Sequence, residues 1–236
     1  MSAAAETLEP NFDPAVTPGE VAIVDDDVAL CDSLRWLLES VDLPVRTYNN
    51  GEALLEDLDP HIGCILLDVR MPGMSGLQVQ QRLNELQVPV AVNIMTGHGD
   101  VPMAVHTLKQ GAFDFIEKPF NDQQLIDVVQ QALEHTARRR QEQALIIELR
   151  RRYETLRPKE QEILRLAALG FSNRTVAEQI GASAKTVEVY RQRGLRQMQA
   201  ESLAHWVRMA IALDLLEPLH EQASNDPPPA PENGRA

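Results

Sequence analysis

Between Glu20 and His135 the chain alternates between short apolar runs and amphipathic stretches whose apolar residues recur at helical spacing. This alternation is the signature of βαβ units, in which helices connect parallel strands and cover both faces of the sheet. We therefore predict an α/β domain in which five helices flank a five-stranded, doubly wound parallel sheet. The runs that predict the strands are Val21 to Val24, Val45 to Tyr48, Cys64 to Leu67, Val90 to Met95 and Phe113 to Ile116.

The length and composition indicate a globular protein with more than one domain. The chain has 236 residues, of which 44% are hydrophobic and 24% charged. No run approaches the roughly 20 apolar residues that cross a bilayer, and the start of the chain lacks the pattern of a signal peptide. We expect two compact domains in a cytoplasmic protein with no membrane partner. Cys31 and Cys64 lie inside apolar segments, and we interpret both as core residues.

Charge divides the chain into an acidic and a basic part. The net charge is −15 over residues 1–138, +4 over residues 139–219 and −2 over the remaining residues. The whole molecule, at −13, should not bind nucleic acid by charge alone. The second part, in contrast, has the balance that phosphate backbones attract.

The pattern after His135 predicts a linker and a second, all-α domain. Residues 138–155 are rich in arginine, glutamine and glutamate and predict a helical linker. Its apolar residues have the spacing of a coiled-coil seam for fewer than two heptads, so a solvated helix is the preferred interpretation. Proline-rich segments at residues 1–18 and 218–236 predict disordered tails, which leaves domains at 19–137 and 156–217. The four helices expected in the second domain are Lys159 to Leu169, Ser172 to Ile180, Ser183 to Gln199 and Ser202 to Leu216, with serines at three N-caps.

Polar residues stand where four of the predicted strands end. In an open parallel sheet the carboxyl ends of the strands form the ligand-binding crevice. Each of these residues has an ordinary explanation when taken singly, and for Asp27 the explanation as a helix N-cap is preferred. Clustered carboxylates repel one another unless a cation lies among them, and an oxygen-rich site favours Mg²⁺. The residues placed together in this way are Asp25, Asp26, Asp68, Thr96 and Lys118.

Four segments that surround these positions resemble the receiver domain of two-component response regulators, a flavodoxin-like fold. The segments are Val24 to Asp27, Leu67 to Gly76, Thr96 to Asp100 and Gly111 to Phe120.

The resemblance implies a role for each residue of the crevice. Asp68 would accept a phosphoryl group, and Asp25, Asp26, Asp68 and the backbone carbonyl of Arg70 would hold Mg²⁺. Thr96 and Lys118 would bind phosphoryl oxygens, and Thr96 with Phe115 would form the conformational switch. The bond between Lys118 and Pro119 is usually cis in this family.

One residue interrupts the predicted fourth strand. Asn93 stands in an otherwise apolar run, and a buried amide without partners costs roughly 1 to 3 kcal/mol. We expect Asn93 to be hydrogen-bonded or to lie at a bulge.

The basic domain resembles the LuxR-type helix-turn-helix, and together the two domains resemble regulators of the FixJ/NarL type. The segments that carry this second resemblance are Leu156 to Leu164, Gly170 to Asn173 and Ser183 to Tyr190.

The third helix of this domain has two different faces. Val187, Tyr190 and Met198 predict the packed face, and Gly194 predicts a close helix contact. The other face is expected to enter the major groove, although an ordinary solvated surface is an alternative for Lys185 and Arg196. We expect Glu188 and Gln192 to read bases and the basic residues to hold phosphates. The predicted DNA-binding set is Lys185, Glu188, Val189, Arg191, Gln192, Arg193 and Arg196.

These resemblances imply a non-enzymatic, DNA-binding transcription regulator, and we expect an activator. Its partners would be a sensor histidine kinase, double-stranded promoter DNA, RNA polymerase and a second copy of the chain after phosphorylation. We expect the second copy to bind the face formed by the fourth helix and the fifth strand, where Val101, Val105, Phe113 and Phe115 would couple Thr96 to the surface. A phosphohydrolase of the haloacid dehalogenase type is an alternative, but it requires an aspartate where Arg70 stands. A constitutive DNA-binding protein with a vestigial receiver is a second alternative, which the complete acidic set disfavours.

Overall fold

A computed structural model describes residues 19–97 and 101–216, without the side chains of residues 101–103 and 106. The segments predicted as disordered tails, residues 1–18 and 218–236, lie outside these described residues. The described part divides into two compact units, and the division falls between Ala144 and Leu145.

The first unit contains the predicted five-stranded parallel sheet. The strands are β1 (Glu20–Val24), β2 (Val45–Tyr48), β3 (Ile62–Asp68), β4 (Ala91–Thr96) and β5 (Asp114–Glu117). They are hydrogen-bonded in the order β2-β1-β3-β4-β5, and every neighbouring pair is parallel. The winding therefore reverses beside β1, which places the crevice at the carboxyl ends of β1 and β3.

Five helices connect and follow these strands. They are α1 (Val28–Glu39), α2 (Gly51–Glu56), α3 (Gly76–Glu85), α4 (Val101–Lys109) and α5 (Asp122–Glu154). Asp27, Asn50 and Ser75 cap the first three helices by accepting hydrogen bonds from backbone N–H groups that have no partner inside the helix. The prediction that Asp27 is an N-cap is thus confirmed.

Two hydrophobic layers cover the sheet. One layer packs apolar residues of α1 and α5, such as Leu34 and Leu125, against alternate strand residues including Ile23. The other packs α2 and α3, through Leu54 and Val79, against the opposite face. Because strand side chains alternate between faces, burial on both sides explains why the central strands β1 and β3 are nearly continuous apolar runs.

Asn93 lies in the first of these layers without a bulge. Strand β4 keeps an unbroken register with both β3 and β5. The Nδ2 group of Asn93 donates to Sγ of Cys64 at 3.1 Å, whereas its Oδ1 accepts no hydrogen bond from a described residue. The expectation of a hydrogen bond is therefore met at one end of the amide. Burial raises the pKa of the Cys64 thiol to about 12, so the thiol stays protonated, and both cysteines are free and buried as predicted.

The second unit contains the end of α5 and four further helices. These are α6 (Pro158–Ala168), α7 (Asn173–Ile180), α8 (Ala184–Gln197) and α9 (Leu203–Ala212). Ser172, Ser183 and Ser202 cap the last three, as predicted. No helix in the described part of the chain is long and apolar enough to span a membrane.

The prediction of a solvated linker up to residue 155 is wrong for its second half. Leu149 is buried, and Tyr153 stacks on the buried Trp206 with ring centroids 6.0 Å apart. Trp206 also donates its indole N–H to the carbonyl of Leu164 at 2.8 Å. The last turns of α5 thus supply part of the core of the helical unit, together with Leu156.

Candidate functional site

The carboxyl ends of four adjacent strands bring the predicted polar residues together. Asp25 follows β1, Asp68 ends β3 and Thr96 ends β4, and all three are buried. Lys118 follows β5, and its backbone N–H donates to the carbonyl of Thr96 at 2.7 Å. Asp26 is exposed at the rim of the same edge. The sheet order therefore produces the crevice that the sequence predicted.

A single ammonium group bridges the two buried carboxylates. Nζ of Lys118 donates to Oδ2 of Asp25 and to Oδ1 of Asp68, both at 2.6 Å. Burial alone would lower the pKa of Lys118, but the hydrogen bonds and charges of the two aspartates outweigh burial and raise it. The ammonium thus stays protonated in the crevice. The bond between Lys118 and Pro119 is cis, as predicted.

Backbone N–H groups hold the other oxygen of each carboxylate. The amide of Asp27 donates to Oδ1 of Asp25 at 2.9 Å, and the amide of Arg70 donates to Oδ2 of Asp68 at 2.6 Å. Asp27 itself is occupied as the cap of α1, with its Oδ1 accepting from two amides. The orientations of Asp25 and Asp68 are consequently fixed from both sides.

The donor set of this crevice suits a hard divalent cation. Asp25 and Asp68 carry two negative charges against the one positive charge of Lys118, and Asp26 adds a further negative charge at the rim. Each carboxylate oxygen accepts one hydrogen bond and retains a second lone pair. Among the described residues no three acidic, histidine or cysteine side chains form a closed metal cage. Mg²⁺ characteristically uses one or two carboxylates and keeps several waters, so this open arrangement fits it.

Phe115, which lies in β5, and Phe113, which directly precedes this strand, pack on different faces of the sheet. Phe115 packs against the layer that contains α3, whereas Phe113 packs on the α1 and α5 layer, with its ring 5.1 Å from that of His135. The expectation that Phe113 shares a surface with α4 is therefore wrong, because β5 begins one residue after it. Val105 of α4 is 45% exposed, and the side chain of Val101 lies outside the described residues.

Helix α8 of the second unit has the two predicted faces. Val187 and Met198 are fully buried. A Cβ atom at Gly194 would lie 2.9 Å from Leu164, which shows the close helix contact that this glycine permits. The opposite face is solvent-exposed and carries Lys185, Glu188, Val189, Gln192 and Arg196.

Two other arginines of α8 have partners inside the unit. Arg191 donates to Oδ1 of Asn173 at 2.9 Å, and Nε of Arg193 lies 3.2 Å from Oε1 of the buried Glu160. Neither Glu160 nor Asn173 is among the residues predicted from the sequence. A signal for Glu160 was present, since it stands three residues after Arg157 at a helix start marked by Pro158, a position where glutamate caps the first turn.

Each of the two units matches a known protein family. Residues 21–130 match the response regulator receiver domain, and residues 154–210 match the luxR family of bacterial regulatory proteins. Nodulation protein W of Bradyrhizobium diazoefficiens is 40% identical over 202 residues, which cover 85% of this chain and 89% of that protein. The chain belongs to the FixJ-type response regulators.

Further relatives agree with this assignment. The regulator is 42% identical to transcriptional regulatory protein FixJ of Azorhizobium caulinodans, over 81% of this chain and 91% of that protein. Among solved structures, response regulator StyR superposes with a TM-score of 0.72 at 35% identity, covering 83% of this chain and 99% of that one. The regulator is accordingly a DNA-binding transcription regulator of a two-component system, and the families it matches are not enzyme families.

Proposed function

We propose that Asp68 is the residue that accepts the phosphoryl group from a sensor histidine kinase. The observation that carries this proposal is the pair of 2.6 Å contacts that Lys118 makes with Asp68 and Asp25. Because β3 lies between β1 and β4 in the sheet, Asp68 is the carboxylate flanked by both Asp25 and Thr96. The amide of Arg70 holds Oδ2 of Asp68 in place, while Oδ1, which Lys118 contacts, would attack.

The chemistry is the transfer of a phosphoryl group between two nucleophiles. A carboxylate oxygen of Asp68 forms the new bond to phosphorus as the bond between phosphorus and the donor breaks, which gives a mixed anhydride. Lys118 can stay protonated throughout and turn from the carboxylates to a phosphoryl oxygen, where it stabilises the developing negative charge. The hydroxyl of Thr96, at the end of β4, would bind another phosphoryl oxygen.

Magnesium belongs to this proposal as the cofactor. Asp25, Asp26, Asp68 and the backbone carbonyl of Arg70 would hold Mg²⁺, which when bound would neutralise charge on the phosphoryl oxygens. The excess negative charge of the crevice and the unused lone pairs of Asp25 and Asp68 support this assignment.

The switch that reports phosphorylation would involve Thr96 and Phe115. Thr96 is buried at the end of β4 and pairs in register with Glu117 of β5. The half-buried ring of Phe115 lies two residues before Glu117 on the same strand. A shift of Thr96 toward the phosphoryl group would open space for that ring. The surface formed by α4 and β5 would then pair with a second copy of the chain.

The output would be binding of promoter DNA by α8. Its exposed face, which also carries Val189, would present Glu188 and Gln192 to base edges and Lys185 and Arg196 to phosphates. Arg191 and Arg193 differ from the last two because their guanidinium groups contact side chains of other helices, Asn173 of α7 and Glu160 of α6. As an activator the regulator would act with RNA polymerase in the cytoplasm, where the DNA is.

Labelling with a small phosphoryl donor tests the proposed acceptor. Incubation of the full chain with radiolabelled acetyl phosphate and Mg²⁺ should give one labelled residue, and the label should be released by hydroxylamine, which cleaves acyl phosphates. The Asp68→Asn variant should remain unlabelled, and the Asp59→Asn variant, which alters a carboxylate remote from Lys118, should label normally. Labelling of Asp68→Asn at the wild-type level would overturn the proposal.

A further inference from the structure

Glu160 is a buried acidic residue in the helical unit that no part of the proposed function uses. It lies in the first turn of α6 and is 1% exposed. Its Oε2 accepts a hydrogen bond from the backbone N–H of Arg157 at 2.9 Å. Its Oε1 is buried and accepts no hydrogen bond from a described residue, so its charge must be balanced by other means.

The balancing charge comes from α8. Nε of Arg193 lies 3.2 Å from Oε1 of Glu160, and the side chain of Arg193 is 49% exposed. The next residue along α8, Gly194, packs against Leu164, which lies one turn beyond Glu160 on α6. The ion pair and the close contact therefore connect the same turns of the two helices.

The position of Arg193 around α8 places it at the edge of the exposed face, away from its centre. At 100° per residue, Arg193 lies about 80° around the helix from Lys185, whereas Arg196 lies only about 20° from it. A buried carboxylate that loses its only cation is strongly unfavourable. If Arg193 left Glu160 for a DNA phosphate, it would leave such a carboxylate behind.

We infer that Glu160 neutralises Arg193 and holds it as a positioning residue, so that this arginine orients α8 against α6 and adds nothing to the attraction of DNA phosphates. This inference rests on α8 being the DNA-binding helix, and it departs from the sequence-based prediction that Arg193 holds a phosphate. Glu160 would thereby determine the orientation of α8 on α6 and the amount of positive charge that α8 exposes to DNA.

Salt dependence distinguishes the two roles. Each phosphate contact adds about 0.9 to the slope of log affinity against log salt concentration, which is a further loss of about 3.5-fold between 50 and 200 mM salt. In the full chain, Arg193→Gln should leave this slope unchanged, because its charge is already cancelled. Glu160→Gln should steepen the slope by about 0.9 and tighten binding to DNA of random sequence, because it releases the charge of Arg193.

The double variant and a lysine variant complete the experiment. In the Arg193→Gln background, Glu160→Gln should have no effect on the slope. Arg193→Gln alone should weaken base discrimination, because it removes the ion pair that orients α8 against α6, and the neutral amide pair of the double variant should restore it. Lys185→Ala should lower the slope by about 0.9 in every background. The fluorescence of Trp206 monitors folding, so that slopes are compared only below each variant's unfolding transition.

Two outcomes would overturn the inference. One is a slope that falls by about 0.9 in Arg193→Gln, which would make this arginine a phosphate contact. The other is an unchanged slope in folded Glu160→Gln. An unchanged slope in Lys185→Ala would instead count against α8 as the DNA-binding helix, so the two failures are distinguishable.

Discussion

The ammonium nitrogen of Lys118 lies 2.6 Å from Oδ1 of Asp68, at the same distance as from Oδ2 of Asp25. One cation thus holds two buried carboxylates whose own strands are neighbours in the sheet. This arrangement places Asp68 beside a positive charge that an incoming phosphoryl group can share.

Lys118→Met should therefore impair phosphoryl transfer more than it impairs folding. Removal of one preorganised donor costs about 10²- to 10³-fold in the rate of comparable reactions, and we expect a loss of that size in the initial rate of labelling by acetyl phosphate. Lys109→Met, which removes an exposed lysine at the end of α4, is the matched control and should label at the wild-type rate. An equal rate in the two variants would contradict the role of Lys118.

Phosphorylation should promote dimerisation through α4 and β5. Val105 is 45% exposed on α4, and a charge at this position should block the dimer without affecting labelling. Sedimentation velocity with beryllofluoride as the phosphoryl mimic should show a doubled mass for the wild type and a monomer for Val105→Glu. Trp36→Gln, which alters the exposed tryptophan of α1, should dimerise normally. An unchanged mass of the wild-type protein at micromolar concentration would count against this interface.

Glu188 and Lys185 should contribute to DNA binding in different ways. A carboxylate is repelled by the DNA backbone but can accept a hydrogen bond from a cytosine amino group, so Glu188→Ala should relax discrimination at one base pair by about 1 to 3 kcal/mol. Lys185→Ala should weaken binding to all sequences and reduce the salt slope by about one. Binding measured against a panel of single-base variants separates the two. If Glu188→Ala only tightened binding, with every base preference unchanged, α8 would be docked in another register.

The architecture of the receiver could be predicted because it depends on local pattern. Five apolar runs become parallel strands, and the topology then brings their carboxyl ends to one edge, so Asp25, Asp68 and Thr96 meet without further information. The side of the sheet that Phe113 faces could not be predicted in this way. Alternation of side chains assigns a face only to residues inside a strand, and β5 begins at Asp114, one residue after Phe113.

The other misses share one cause, which is that burial of a residue can depend on a partner distant in the chain. Tyr153 and Leu149 occur in a segment whose arginines and glutamines suggest a solvated helix. Packing against residues of later helices, such as Leu164 of α6 and Trp206 of α9, makes them part of a core. Glu160 is buried because Arg193 of α8 pairs with it. Neither relationship has a local signature that fixes it.

The end of α5 should accordingly stabilise the helical unit. Leu149→Ala removes a side chain that is 4% exposed and should cost about 2 to 5 kcal/mol in the free energy of unfolding of that unit. Ile147→Ala, two residues earlier and 69% exposed, should cost almost nothing. In a Trp36→Phe background, Trp206 reports the unfolding of the helical unit alone during titration with urea. Equal midpoints for the two variants would show that this part of α5 is a linker after all.

The central claim is that phosphorylation of Asp68 controls binding of DNA, and fluorescence anisotropy with an operator fragment tests it most directly. Affinities should be measured for the wild type and for Asp68→Asn, each with Mg²⁺, with and without acetyl phosphate. We predict that acetyl phosphate increases the affinity of the wild type at least tenfold, a change of about 1.4 kcal/mol, and leaves that of Asp68→Asn unchanged. Equal affinity of the wild type with and without the donor, under conditions where labelling shows Asp68 to be phosphorylated, would contradict the claim and indicate constitutive DNA binding.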